Sequence, residues 1–294
     1  MPGSEASTRA DTPELGHAGI GSAQARTLPE ALDLRAQHKG GTVIAGGTDV
    51  MVDLEMGHRT PEHLLDIWGV DELRGVRKHG NRLWIGAVTP YSDIIRSPEA
   101  QAECPSLVEA ARTVGALQIQ NRGTLGGNLG NASPAGDTLP VLLTLDAVVE
   151  VASRDRGSRF VPIDQFFVGY RRIRLEDDEL ITGVWLPGRH DHDQTHYRKV
   201  GTRAAQAISK VVLAGRLRVR DHVVQEARIA FGSMAATPVR CAHVEEALTG
   251  RPVDSAAAEL LPKDLEPIDD VRSTGAYRIR VGQNLLRAWL ESLR

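Results

Sequence analysis

The sequence predicts an α+β protein of two domains, and three observations carry this prediction. The chain has 294 residues, which is enough for two domains of about 150 residues each. Up to residue 189, short apolar runs that suit strands alternate with patterns of helical period, which is typical of α/β units. Beyond residue 190, two long strand patterns and two helical patterns follow, which indicates a smaller α+β domain with an antiparallel sheet.

The first domain is expected to begin near residue 27. Residues 1–26 are rich in Gly, Ser, Ala and Thr without apolar periodicity, so we expect a flexible N-terminal segment or an irregular leading strand there. Thr27, followed by Pro29 and Glu30, predicts the capped start of a helix that runs to about His38. The other elements expected up to residue 189 are strands over 42–45, 64–67, 82–87, 147–151, 159–161 and 180–186, and helices after Thr89-Pro90 and over 106–114 and 134–144.

The second domain, 190–294, opens on a polar run that predicts a linker between the domains. This run is His190-Asp191-His192-Asp193. Its histidines and carboxylates suit a metal site, but no further ligands stand nearby in sequence, which favours a solvated linker. The elements expected after it are an antiparallel hairpin of 207–219 with 223–232 and helices over 239–249 and 274–293.

Charge and hydropathy exclude several classes of protein. Hydrophobic residues make up 41% of the chain and charged residues 25%, which excludes wholesale disorder. The net charge of -3, with scattered basic residues, argues against a nucleic-acid partner. No apolar run reaches the ~18 residues of a membrane span. The N-terminus lacks the pattern of a secretory signal, so a cytoplasmic location is expected.

The chain has two cysteines, Cys104 and Cys241, and they are far apart in sequence. Neither stands in a Cys-x-x-Cys motif, which excludes a disulfide framework and a cysteine-ligated iron–sulfur cluster. A cluster that exchanges electrons with this chain must therefore belong to a partner chain. We expect no metal site in the chain itself.

Two glycine-rich loops suggest a phosphate cradle. Gly46 and Gly47 follow the strand expected over 42–45, and Thr48 adds a hydroxyl. Backbone amides can approach an anion closely at such a loop, although a strand that ends in Gly-Gly is equally typical of a tight turn. The second loop, 122–128, ends in Gly-Gly-Asn, and Asp137 follows it. Two loops of this kind favour a pyrophosphate, which needs many donors.

Common nucleotide-binding and hydrolase motifs are absent from the sequence. There is no Gly-x-Gly-x-x-Gly after a strand and no Gly-Lys-Ser/Thr ending, which disfavours a Rossmann domain and excludes a P-loop. There is also no His-Glu-x-x-His and no Gly-x-Ser-x-Gly. We therefore expect a dinucleotide held in another way and assign no catalytic residue.

The two loops and two later motifs resemble the FAD-binding (medium) subunits of molybdenum hydroxylases. The resemblance covers nearly the whole chain after about residue 25, and it is closer to the xanthine dehydrogenase branch than to the carbon monoxide dehydrogenase branch. The motifs that carry it are Ala45-Gly46-Gly47-Thr48-Asp49, Arg122-Gly123-Thr124-Leu125-Gly126-Gly127-Asn128 with Ser133-Pro134-Ala135-Gly136-Asp137, Phe166-Phe167-Val168-Gly169-Tyr170-Arg171, and Lys199-Val200-Gly201-Thr202-Arg203 with Ala205-Gln206-Ala207-Ile208-Ser209-Lys210.

This resemblance implies FAD as the cofactor and a fold of the vanillyl-alcohol-oxidase type. In that fold two α/β subdomains, here about 27–75 and 76–189, clasp an extended FAD ahead of the C-terminal domain. The first loop would wrap the pyrophosphate and ribityl chain, and the second would bind the other side of the phosphates. The residues that the resemblance assigns to them are Val43, Ile44, Ala45, Gly46, Gly47, Thr48, Asp49 and Val50 in the first loop and Thr124, Gly126, Gly127 and Asn128 in the second.

The resemblance assigns further contacts along the FAD. Asp137 would accept hydrogen bonds from the adenosine ribose, and Ile181 would line the adenine end. Lys199 would lie near the flavin ring, where a cation offsets the negative charge of the reduced flavin. Val114 and Gly115 stand where some relatives carry an aromatic residue stacked on the flavin. From the residues alone, Asp137 also suits a helix cap, and Lys199 a solvated strand position.

The resemblance implies an electron-transferring flavoprotein subunit. Electrons would arrive from 2Fe–2S clusters in a small partner subunit, after substrate oxidation in a molybdopterin-containing large subunit. NAD is a possible acceptor, with Tyr170 and Gln206 at its site, although Gln206 stands where some NAD-reducing relatives carry an acidic residue. A stand-alone FAD-dependent oxidase and a non-redox nucleotide-binding module are the alternatives.

Overall fold

The computed structural model describes residues 20–293, and these combine helices with four β-sheets. The predicted α+β class is confirmed. Most of the segment predicted to be flexible, residues 1–19, lies outside the described residues. Within the described range, no helix is long and apolar enough to cross a membrane.

The first sheet has three parallel strands in the order β1-β3-β2. Its elements are β1 (Gly21–Gln24), α1 (Leu28–Gln37), β2 (Thr42–Ile44), α2 (Val50–Glu55) and β3 (His63–Asp66). The Thr27 hydroxyl caps α1 as predicted, because it accepts a hydrogen bond from the Glu30 amide. Strand β1 agrees with the irregular leading strand, the second of the two alternatives expected for residues 1–26, and shows that the flexible segment does not extend to residue 26. It is an edge strand with alternately half-buried and exposed residues, so it has no apolar run that would reveal it.

The second sheet has five antiparallel strands in the order β4-β5-β10-β6-β7. A separate two-stranded sheet, β8-β9, comes between β7 and β10 in chain order. The elements in chain order are β4 (Val76–His79), β5 (Arg82–Gly86), α3 (Tyr91–Arg96), α4 (Pro98–Glu103), α5 (Pro105–Arg112), α6 (Leu117–Gln120), α7 (Leu125–Asn131), α8 (Leu139–Thr144), β6 (Val148–Ser153), β7 (Gly157–Pro162), α9 (Ile163–Phe166), β8 (Phe167–Gly169), β9 (Arg172–Ile173) and β10 (Leu180–Pro187).

Helix α8 is shorter than the helix predicted over 134–144. The first residues of the predicted helix instead form a turn before α8, in which the Gly136 amide donates to the Ser133 carbonyl. Pro134 and Gly136 favour such a turn over a helix interior. The core of this part of the chain lies between the five-stranded sheet and its helices, and includes Ile85, Leu107, Leu125, Leu142 and Val149.

The C-terminal part has a four-stranded antiparallel sheet in the order β11-β12-β13-β14. The elements are β11 (Asp193–Val200), β12 (Val211–Arg220), β13 (Val223–Gly232), β14 (Val239–Arg240), α10 (Ala242–Leu248) and α11 (Gly275–Glu291). The predicted hairpin is confirmed, although its first strand begins at Val211 rather than at residue 207. Phe231, Leu286 and Trp289 lie in the core between this sheet and α11.

The linker predicted over 190–193 is wrong at its last residue. Asp193 is buried and begins β11. Its carboxylate accepts a hydrogen bond from the Arg218 guanidinium at 2.9 Å and one from the His190 amide at 3.1 Å. A buried carboxylate requires such partners, and a polar run in sequence does not show that they exist.

Candidate functional site

The two glycine-rich loops touch each other through their backbones. A Cβ atom on Gly46 would lie 1.7 Å from the Arg122 carbonyl oxygen, so only glycine allows this approach. The Arg122 Nε also lies 3.4 Å from the Gly46 carbonyl oxygen and donates to it. The loops therefore form one continuous surface, although they are about 75 residues apart in sequence.

The first loop presents amides that nothing in the described part of the chain accepts. No acceptor within residues 20–293 binds the N–H groups of Gly46, Gly47, Thr48 and Asp49. Gly47 has φ +78, in the left-handed region, and successive amides in such a turn form a concave nest for an anion. Unsatisfied amides at a loop carry a free-energy cost unless water or a ligand accepts them, which indicates a binding surface.

The second loop is fixed on the other side of this surface. The Thr124 hydroxyl caps α7 by accepting the Gly127 amide at 2.9 Å. The Gly126 amide donates to the Ala87 carbonyl, and a Cβ on Gly126 would lie 2.6 Å from that carbonyl oxygen. The loop therefore has a rigid backbone before any ligand binds.

Asn128 connects the second loop to a buried charge pair. Its side-chain oxygen accepts a hydrogen bond from the Thr138 hydroxyl at 2.6 Å. The neighbouring Asp137 forms an ion pair with Lys199 at 2.6 Å, and each of these two side chains is only 10% exposed. Lys199 also donates to the Thr113 carbonyl at 2.9 Å. This charge pair thus joins the end of α5, the turn before α8 and strand β11.

Asp137 is only partly satisfied. Its Oδ2 bonds to Lys199, whereas its Oδ1 is buried without a hydrogen-bond partner in the described structure. Burial raises the pKa of this carboxyl to about 6; Lys199 and the nearby Ser209 hydroxyl, which itself donates to the Ala135 carbonyl at 3.2 Å, act in the opposite direction. A buried acceptor without a partner is costly, so Oδ1 is suited to a donor such as a hydroxyl of a bound molecule.

This geometry corrects one sequence expectation for Asp137 and bears on another. Asp137 does not cap α8, because Thr138 occupies the cap position and no side chain caps the helix. The resemblance also placed Asp137 at the adenosine ribose and Lys199 near the flavin ring. In an extended FAD the pyrophosphate and ribityl chain separate those groups, whereas the two side chains lie 2.6 Å apart. Both assignments stay predictions, and the ion pair places the two side chains at one point of the site.

The acceptor loop predicted at Gln206 lies beside Gly115. The Gln206 amide donates to the Gly115 carbonyl at 3.2 Å, and the Arg203 guanidinium donates to the Gln206 carbonyl at 2.7 Å. Gly115 has φ +53, and a Cβ there would lie 2.6 Å from that of Ile119. Val114 directly follows Thr113, whose carbonyl accepts a hydrogen bond from Lys199. The segment of Val114 and Gly115 therefore lies next to the Asp137–Lys199 pair.

Tyr170 and Ile181 take different positions. Tyr170 is 63% exposed in the turn between β8 and β9. Its neighbour Arg171 donates to the Asn131 side chain at 2.9 Å and lies close enough to Asp49 to lower the pKa of that carboxyl, which desolvation raises. Ile181 is buried in β10 and faces α7 near Gly130. The structure therefore brings both near the glycine-rich loops rather than near Gln206.

Hydrogen bonds and chain neighbours connect these residues in series, and we call this series the track. It runs from the amide nest of the first loop past Asn128 to the unpartnered oxygen of Asp137, and on to Lys199 and Gly115. The nest suits a pyrophosphate, and Asp137 suits a hydroxyl of the attached sugar or ribityl chain. No cluster that could hold a metal ion occurs within the part of the chain that the structure describes.

Sequence reasoning missed several residues of the track. Thr113 contributes only its carbonyl, which no side-chain pattern reveals. Arg122 and Trp68 lie together beside the first loop, with the guanidinium carbon 4.0 Å from the ring centroid. Arg122 stands within the second glycine-rich loop. A cation in a loop that is expected to bind phosphate is a sequence signal for a phosphate-binding residue, and this signal could have identified Arg122.

Comparison with known proteins agrees with this geometry. Residues 18–189 match the family described as the FAD binding domain in molybdopterin dehydrogenase. Residues 196–293 match the CO dehydrogenase flavoprotein C-terminal domain.

Individual relatives match over most of their length. A putative xanthine dehydrogenase FAD-binding subunit of Escherichia coli (strain K12) is 32% identical over 270 residues, which cover 90% of this chain and 92% of that protein. The carbon monoxide dehydrogenase medium chain of Hydrogenophaga pseudoflava is 31% identical and covers 90% and 93%. A solved carbon monoxide dehydrogenase from the same organism superposes with a TM-score of 0.88 at 29% identity, and covers 92% of this chain and 95% of that chain. The two identities do not separate the xanthine and carbon monoxide branches.

Proposed function

This chain belongs to the FAD-binding subunits of molybdopterin dehydrogenases, and from that premise we propose that it relays electrons from the 2Fe–2S clusters of a partner chain to NAD. It is thus an FAD-binding subunit of an oxidoreductase complex of the molybdenum hydroxylase type. FAD, when bound, supplies a group that accepts electrons and passes them on. The other steps of the proposal concern what the residues of this chain do.

The observation that carries the proposed cofactor site is the nest of free amides beside an unpartnered carboxylate oxygen. The amides of Gly46, Gly47, Thr48 and Asp49 would donate to the pyrophosphate. The Oδ1 of Asp137 would accept a hydroxyl of the ribityl chain or ribose. The wider set proposed to line the FAD is Val43, Ile44, Ala45, Val50, Val114, Gly115, Thr124, Gly126, Gly127, Asn128, Ile181 and Lys199.

Lys199 supplies a fixed positive charge near the middle of the track. It is held by Asp137 and by the Thr113 carbonyl, so its ammonium cannot swing away. Negative charge that arrives with electrons is stabilised by a nearby cation in a desolvated site. We therefore infer that Lys199 is the charge-compensating residue, and that Asp137 contacts the same part of the FAD.

The proposed partners are a molybdopterin-containing large subunit and a 2Fe–2S small subunit. The chain itself offers only Cys104 and Cys241, both of which are buried and distant in sequence. Cluster ligation takes several cysteines in one place, so the clusters must come from another chain. The Hydrogenophaga relative is called a medium chain, which agrees with a complex of several chains. A cytoplasmic location remains a prediction from the sequence.

NAD is the proposed acceptor, and the exposed turn at Tyr170 and the loop at Gln206 are its proposed contacts. Both residues are exposed in the structure, which supports a role in contact with a second molecule. In the assembled complex, NAD should reoxidise the reduced flavin faster than oxygen does in stopped-flow mixing. Faster reoxidation by oxygen or by a quinone would exclude NAD as the preferred acceptor.

Acid precipitation tests the proposed cofactor. Neither His nor Cys occurs in the two glycine-rich loops, so the FAD should be non-covalent. The purified chain should be yellow, and precipitation with acid should release FAD into the supernatant. Flavin that stays in the pellet would contradict the non-covalent site, and a colourless protein that binds no added FAD would contradict the proposed function.

A further inference from the structure

Two cations, Arg74 and Arg122, lie on the ring of Trp68 beside the amide nest, and we call these three residues the Trp68 cluster. The guanidinium carbon of Arg122 is 4.0 Å from the Trp68 ring centroid, and that of Arg74 is 4.5 Å from the same ring centroid. Arg74 also donates to the Trp68 carbonyl at 3.0 Å. One indole thus orients two guanidinium groups through cation–π contacts.

These two cations are not balanced by carboxylates. Within residues 20–293, no Asp or Glu forms an ion pair with Arg74 or Arg122. Arg59, another cation near the first loop, differs because it pairs with Asp53 at 3.3 Å. The Asp66 carboxylate accepts a hydrogen bond from the Trp68 amide at 2.8 Å, but it forms no ion pair with either guanidinium group of the Trp68 cluster.

The position of Arg122 connects this charge to both loops. Its backbone carbonyl is the group that Gly46 approaches, and its Nε donates to the Gly46 carbonyl. Its guanidinium extends to Trp68, which follows β3 in the first subdomain. Arg122 thus connects the second glycine-rich loop to the first loop and to Trp68.

We propose that Arg122, oriented by Trp68, is a positioning residue for the pyrophosphate of FAD. It holds the two loops in register, and it supplies positive charge that the amide nest alone does not provide. This inference rests on the proposed FAD site in the glycine-rich loops.

The test measures the dissociation constant of FAD for the full chain after removal of bound flavin, at low and at high salt. We expect Arg122→Gln to raise the dissociation constant about tenfold at low salt and to weaken its dependence on salt, because screening acts on the charge that was removed. Arg122→Lys should restore the salt dependence but only part of the affinity, since lysine lacks the planar fork. Trp68→Leu should weaken FAD binding about threefold and retain the salt dependence.

The matched control is Arg77→Gln. Arg77 stacks on Trp84 at 4.8 Å in the same way and also donates to the Arg74 carbonyl at 2.9 Å, but it contacts neither glycine-rich loop, so FAD binding should not change. Circular dichroism establishes that each variant is folded, and Trp68→Leu keeps the test valid if Arg122→Gln does not fold.

Each outcome decides the inference. An Arg122→Gln variant with wild-type affinity at both salt concentrations would overturn it and leave the proposed function intact. An equal loss at both concentrations, without rescue by Arg122→Lys, would reduce Arg122 to a structural role and also overturn it. A wild-type chain that binds no FAD would overturn the proposed function and this inference with it.

Discussion

Gly46 is the residue at which the two glycine-rich loops meet, and it gives a sharp test of the cradle. Replacement by Ala places a Cβ 1.7 Å from the Arg122 carbonyl oxygen, so the loops must separate. We expect Gly46→Ala to lower FAD affinity more than tenfold, because several amide contacts depend on one another. Flavin fluorescence during titration measures the affinity.

Gly57→Ala is the control for this substitution. Gly57 has φ +67 and follows α2, but a Cβ there would meet nothing within 4 Å. Its replacement should cost about 1 kcal/mol of stability from the left-handed backbone alone and leave FAD affinity unchanged. Equal losses of affinity in the two variants would contradict the assignment of the first loop.

Asp137 predicts a pH dependence of stability whose sign follows from its raised pKa. The folded chain holds a proton on this carboxyl up to about pH 6, whereas the unfolded chain has lost it by about pH 4. The free energy of unfolding of the FAD-free chain should therefore fall as the pH rises through this interval. Denaturant unfolding should show this fall in the wild type relative to Asp137→Asn.

Bound FAD should reduce that fall. A hydroxyl that donates to Oδ1 favours the carboxylate, and so it lowers the pKa of Asp137 towards its usual value. The difference between wild type and Asp137→Asn should then depend less on pH when FAD is present. A difference that is independent of pH with and without FAD would contradict the assigned role of Asp137.

The sequence indicated these residues but not their mutual geometry. Gly46, Gly47 and Asp137 stand out because two glycine-rich loops followed by an acid together favour a pyrophosphate ligand, although each feature alone also suits a turn or a helix cap. The contact of Asp137 with Lys199 joins residues 62 positions apart, and it depends on how β11 packs against α5. Local sequence pattern carries no information about such packing, so two groups that meet at one point were assigned to different ends of the FAD.

At the scale of secondary-structure elements, Asp146 joins the two parts of the chain. It follows α8 with φ +48, and its carboxylate accepts hydrogen bonds from Arg216, Arg228 and Arg240 on β12, β13 and β14. Arg216 and Arg228 lie directly opposite each other in the ladder, where like charges repel. Asp146 offsets this repulsion together with Glu226, which pairs with Arg216 at 3.2 Å and with Arg228 at 2.9 Å, and Asp146 also connects α8 to the C-terminal sheet.

We therefore predict that Asp146→Asn lowers the free energy of unfolding by about 1–2 kcal/mol, a moderate value because the side chain is partly exposed. Asn tolerates the left-handed backbone, so the change isolates the charge. The control is Asp155→Asn, whose solvent-exposed pair with Arg154 should leave the free energy of unfolding nearly unchanged. Equal effects in urea unfolding would show that Asp146 does not anchor the sheet.

The elements that the sequence predicted well are those with a strong apolar pattern. The β12–β13 hairpin and α11 are examples, since both bury continuous apolar faces. The start of β11 is predicted to be a linker because Asp193 lies in a polar run. Its partner Arg218 lies 25 residues away, so the local sequence does not show that Asp193 is paired. Local polarity therefore does not predict the burial of a charged residue whose partner is distant in sequence.

For the whole molecule, the two sheets of the N-terminal part and the C-terminal sheet each contribute to one track. The first loop follows β2, the second precedes α7, and Lys199 lies on β11. No part of this track within the described residues provides a metal cluster or an iron–sulfur site. The family match shows an FAD-binding subunit, and the arrival of electrons from a partner chain is the part of the proposed function that has to be tested.

The absorbance of the flavin under anaerobic conditions tests this relay most directly. The isolated chain should be reduced by NADH or by artificial electron donors, but hypoxanthine, xanthine and aldehydes should leave its flavin oxidised. Addition of the molybdopterin and 2Fe–2S chains should allow a substrate of the complex to bleach the flavin. Rapid bleaching of the isolated chain by any of these substrates would contradict the relay and identify a stand-alone oxidase.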